Sequence, residues 1–197
     1  EAFRAFVDTQ GIGRDDRMAA EIILKVYDSA RCHLNPQKWL EHCLLQTQVE
    51  DVTDASQSPY GAFLMERLRD WLDLQITALE RCGELCREEG MEKVYSLLQD
   101  TVWQLTSLRN ASTWDEITRK KQVDFGRLVF PKSMDDEELK EQIKTVRDAC
   151  KKGLEKHTRP FSDLSEQVLA DLRASAAAER GLIGLVNDFG KAYDAAK

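Results

Sequence analysis

The chain has 197 residues, of which 28 are Lys or Arg and 35 Asp or Glu, for a net charge of -7. With a pI of about 5.1, it lacks the basic balance of a stand-alone nucleic-acid binder, although local basic patches remain open. A mean hydropathy of -0.49, and no apolar run near the ~18 residues of a span, exclude a membrane segment. Hydrophobic residues at 42% are enough for a core. Gly and Pro are scarce, at 10 and 4, as expected of a helical chain. The five Cys (32, 43, 82, 86 and 150) are odd in number and scattered, which predicts reduced thiols and a cytoplasmic protein. The chain opens Glu1-Ala2-Phe3 rather than at a Met, and these residues have no signal-peptide pattern. The expectation is a piece of a longer protein.

Ile22, Ile23, Val26 and Tyr27 share one face and predict a helix over roughly 15–32. Gly11-Ile12-Gly13 precedes it as a turn. Asn35-Pro36 predicts an N-cap and first helical residue, with Trp39, Leu40, Cys43 and Leu44 facing inward. Residues 46–57 lack a stripe and read as a loop. Ser58-Pro59 repeats the capping signal. A stripe from Tyr60 and Phe63 through Leu64, Leu68, Trp71, Leu72, Leu79, Cys82 and Cys86 then predicts about 45 Å of helix. Gly90 ends it, and Val94, Leu98, Val102, Leu105 and Leu108 give an antiparallel partner.

Thr113-Trp114-Asp115-Glu116 spells a capping box. Val123, Phe125, Leu128 and Phe130 predict a short extended segment near 122–131. Ser133 to Asp136 is expected to start the next helix, with Leu139, Ile143, Val146, Cys150 and Leu154 as its stripe. A last helical section is expected to cap at Ser162 and run through Leu164 and Val168 to Phe189 and Tyr193. The fold class is therefore all-α, an array of about six or seven helices. No internal repeat or linker divides the chain, so residues 1–197 read as a single helical domain.

Tests for chemistry return little. From Gly184 to Gly190-Lys191 the glycines are one residue too far apart for a phosphate loop, and Ala192 replaces the Mg-binding hydroxyl. Asp188-Phe189-Gly190 has no accompanying kinase motif. Cys82 and Cys86 could share a metal, but both lie on the apolar stripe and read as core. His33, at a helix end, reads as a cap of the last carbonyls. Glu88-Glu89 and Asp135 to Glu138 read as solvated charge. No catalytic, metal or cofactor-binding residue is predicted. Two basic clusters are the candidates for nucleic acid. One is Arg119, Lys120 and Lys121 with Arg127 and Lys132. The other is Lys151, Lys152, Lys156 and Arg159. The plainer reading of both is a solvated face.

The sequence also carries a resemblance. Val7-Asp8, Gly11 to Asp16, Ile23-Leu24, Tyr27-Asp28, Arg31, His33, Pro36 and Trp39-Leu40 match a segment of the AddA subunits of bacterial AddAB (RexAB-type) helicase–nucleases. Ser29, Cys32 and Leu34 depart from it. Phe125-Gly126-Arg127, residues 140–152 and residues 182–197 resemble later stretches in the same order, whereas 41–115 agrees only as amphipathic helix. The resemblance implies the helical insertion, called 1B, of a UvrD-like superfamily 1 motor. It implies a non-catalytic domain that positions duplex or single-stranded DNA during ATP-dependent unwinding and end resection in double-strand break repair. ATP and Mg, the nuclease carboxylates and the contact with an AddB partner subunit would belong to the parent protein. The competing expectation is a free-standing all-α scaffold or adaptor for a protein partner.

Overall fold

The computed structural model describes residues 17–132 and 134–195. Gly11-Ile12-Gly13, the resembling residues before 17, and Ser133 lie outside them. Among the described residues there are seven α-helices and no strand: α1 Arg17–Arg31, α2 Pro36–Gln46, α3 Pro59–Glu88, α4 Glu92–Arg109, α5 Trp114–Lys120, α6 Glu137–Thr158 and α7 Ser165–Ala195. Two single-turn helices, Ala55–Gln57 and Arg159–Phe161, complete them. The chain is thus all-α. It divides into two compact units, one of residues 53–168 and one joining residues up to 52 with those from 169.

In the unit of both chain ends, Ile23 and Ala30 of α1, Leu40 of α2, and Ile183, Val186 and Phe189 of α7 form one buried core. Tyr27 packs edge-on against Phe189, with ring centres 4.8 Å apart. The Asn35 side chain accepts the Lys38 N–H and Pro36 opens α2. His33 does not cap carbonyls through its ring; the ring stacks on Trp39 at 4.9 Å. Arg173 donates to the carbonyls of Val49, Glu50 and Val52, and Arg180 to Thr47 O and the Glu50 carboxylate. These bonds satisfy carbonyls that have no helical partner and lay 47–52 along α7.

In the unit of residues 53–168, α3 and α4 form the long antiparallel hairpin. Gly90 adopts φ +69°, and the bonds Met91 N–H to Cys86 O and Gly90 N–H to Arg87 O make a Schellman ending. Ser58 is fully buried. Its hydroxyl accepts the Gly61 N–H and donates to Ala55 O. Leu68, Leu72, Leu79, Cys82 and Cys86 line the core as the stripe predicts. Tyr60 and Phe63 do not; they are 47% and 54% exposed, and Arg67 lies over the Phe63 ring. The first turn of α3 thus turns its aromatics outward.

The capping box at Thr113 is altered in one partner. Thr113 Oγ accepts the Glu116 N–H, but the Glu116 carboxylate takes the N–H and hydroxyl of Ser112. Helix α6 starts at Glu137 with Asp136 as its cap. Helix α7 starts at Ser165, not Ser162; the Ser165 N–H is taken by Asp115 of α5 and its Oγ accepts the Ala55 N–H. Asp54 also accepts the Trp114 N–H. The fully buried Trp114 ring donates to Asp163 O and packs on Phe161. These bonds join the starts of α3, α5 and α7 in one buried node.

Candidate nucleic-acid interface

The segment after α5 is extended and unpaired by any strand, so its backbone needs other partners. Gln104 of α4 provides a pair: its amide oxygen accepts the Asp124 N–H at 2.9 Å and its NH2 donates to Asp124 O at 3.2 Å. Arg147 of α6 donates to the carbonyls of Phe125 and Gly126, and its guanidinium lies 5.9 Å from the centre of the Phe125 ring. Phe125 is buried. The segment is therefore fixed to α4 on one side and α6 on the other.

This arrangement opens a cleft of about 590 Å³ between residues 121–125 and the C-terminal half of α6. Its apolar surface is Val123, Phe125 and Leu154. Its charges are Lys121, Lys151, Arg159 and the single carboxylate Glu155. One member of the first basic cluster thus meets two of the second, across 30 or more residues of chain. Lys121 Nζ is oriented by a bond to Phe161 O at 2.9 Å. Lys151 and Arg159 are exposed, and neither is ion-paired among the described residues. Unpaired cations keep their full field for an incoming phosphate.

The remaining predicted residues are placed elsewhere. Arg119 and Lys120 end α5, where Lys120 Nζ donates to Ser107 O. Arg127 and Lys132 are exposed along the extended segment. Lys152 and Lys156, four apart, share an exposed face of α6 outside the cleft. Two residues that shape the cleft were not among the predicted ones. Gln104 has no sequence signal, because its partner is 20 residues away. Arg147 has one: four residues after Ile143 and three before Cys150, it flanks the apolar stripe of α6.

Nothing nearby resembles a reaction centre. Among the described residues no group of three His, Cys, Asp or Glu could hold a metal. Burial pushes the Cys150 thiol up to about 11. Burial, with Cys82 beside it, does the same for Cys86. Both are thus poor nucleophiles near neutral pH. Gly184 and Gly190 stand inside α7, whose amides are committed to the helix, so the chain supplies no nucleotide cradle there.

Fold and cleft together define a class: an all-α module with a cationic cleft and no catalytic constellation among the described residues. The relatives make the class particular. Over nearly its whole length the chain is similar to curated proteins named as the AddA component of an ATP-dependent helicase/nuclease. It is 30% identical over 99% of its length to that of Pelotomaculum thermopropionicum. The figures are 29% over 100% for Geobacillus kaustophilus and 24% over 98% for Acetivibrio thermocellus. The chain spans 16% of the length of each of these relatives. No protein-family model matches it.

Proposed function

We propose that the chain is an accessory, non-catalytic domain of an AddA-type helicase/nuclease, the 1B-type insertion, and that it positions DNA for the motor. The observation that carries this is the cleft, where Lys121, Lys151 and Arg159 converge over an apolar floor. Chemically, three cations can each neutralise a backbone phosphate, and a fixed extended segment holds them in register. Such contacts position a strand without reading its sequence. They also explain how an acidic protein can bind DNA: the contact is local, and the net charge of -7 belongs to the rest of the surface. ATP, Mg and the AddB partner would be engaged by other parts of the parent protein, acting in the cytoplasm.

The test is fluorescence anisotropy of a labelled oligonucleotide with the chain at low salt. Binding should be weak and salt-sensitive, with no ATP hydrolysis. The double variant Lys151→Glu and Arg159→Glu should lose about tenfold or more in affinity, two phosphate contacts being reversed. Unchanged binding by that variant would remove the cleft assignment.

A further inference from the structure

The unit formed by both chain ends holds a second cavity, of about 510 Å³, bounded by the end of α1, the start of α2 and the last turns of α7. It is built from residues of the resembling stretches that the cleft does not use: Tyr27, Arg31 and Pro36 from the first, Lys191 and Asp194 from the last. Its floor is apolar and closed, with Ala30, Leu40 and Val186 buried. Its rim is polar. Arg31 has no ion pair among the described residues, and its guanidinium lies 5.8 Å from the centre of the Tyr27 ring. Lys191 has only Asp188 within reach, at 3.8 Å with both side chains more than half exposed, a pairing of little energy. Helix α2 presents its N-terminus to the same space through Asn35, Pro36 and Gln37. Asn35 takes the Lys38 N–H and Pro36 has none, which leaves the Gln37 N–H as a first-turn donor. Asp194 is the one carboxylate lining the cavity.

Two cations and a helix N-terminus around one cavity are the donor set of a monoanionic oxygen ligand. We propose that this cavity holds one backbone phosphate of a bound DNA strand, a contact separate from the cleft in residues 53–168. The identification of the strand rests on the DNA reading above; the anion preference rests on Arg31, Lys191 and α2. Asp194 opposes the ligand, so removing its charge should help binding while removing the cations should harm it. A purely structural role for these side chains does not predict opposite signs.

The experiment is anisotropy of a labelled thymidine oligonucleotide of about 20 nucleotides, with circular dichroism confirming the fold of each variant. Arg31→Gln with Lys191→Gln should weaken binding about fivefold at low salt and reduce the salt slope by about one. Arg31→Lys should restore part of the loss, and Asp194→Asn should tighten binding. If the double variant binds like the wild type, or if Asp194→Asn weakens binding, the cavity proposal is overturned and the cleft reading is untouched. If decaglutamate displaces the strand from wild type but not from the double variant, the cavity is an acidic-peptide site and the proposal is also overturned. Loss on Lys151→Gln with Arg159→Gln alone points to the cleft only. No binding by wild type overturns both.

Discussion

Gly153 lets α6 approach the face of Trp71 on α3. A Cβ there would lie 2.5 Å from the indole, and one turn later the His157 ring stacks on the same indole at 4.7 Å. Gly153→Ala should therefore cost about 1–3 kcal/mol, read as a lower melting temperature, through overpacking. Burial holds the His157 pKa below its usual value, with Lys156 and Arg67 adding to the effect. The folded state then binds fewer protons than the unfolded one, and stability rises with pH across that window. The expected outcome is a melting temperature lower at pH about 5.5 than at pH about 7.5, below the unfolded histidine pKa of ~6.5. His157→Gln should flatten that dependence. The thiols give a cheaper check: Cys82, Cys86 and Cys150 are buried and Cys32 is exposed. A thiol reagent should label Cys32 at once and these three only on unfolding. The sequence showed this much of the core, because Cys82 and Cys86 fall four apart on an otherwise apolar stripe. It could not show the Trp71–His157 stack, whose partners lie on different helices.

At the level of elements, the signals that came through are those that close within a turn. Asn35-Pro36, Ser58-Pro59 and Gly90 punctuate the helices where they were expected. Ser58→Ala should cost about 1–2 kcal/mol, since it removes a buried cap. Ser162 misled because the true start of α7 is capped by Asp115, 50 residues away in the chain; no local pattern encodes that bond. Tyr60 and Phe63 misled because a helical stripe drawn wide enough to include them overruns the buried face. The extended segment was legible from its alternating apolar residues, but its anchors were not. Arg147→Met should keep the packing on Phe125 and lose the bonds to Phe125 O and Gly126 O. Hydrogen exchange should then quicken at residues 124–126 while α3 and α4 keep their protection. Unchanged exchange would show that the Gln104 pair alone fixes the segment.

For the whole molecule, the all-α class followed from few breakers and continuous 3.6-residue stripes, whereas the meeting of the basic clusters was invisible. Lys121 is 30 residues from Lys151, and only the path of the chain around α6 brings them to one cleft. Net charge of -7 argues against DNA binding only if charge is spread evenly, and unpaired cations at one cleft are a departure from that. The count of phosphates neutralised is therefore the quantity at stake, and the salt dependence of binding reads it. With Lys121, Lys151 and Arg159 engaged on a single strand, the logarithm of the association constant should fall against the logarithm of salt with a slope of about -2 or steeper. Lys151→Gln with Arg159→Gln should make that slope shallower by about 1.4. A wild-type slope near zero, or one that the double variant leaves unchanged, would contradict the assignment of the cleft to DNA.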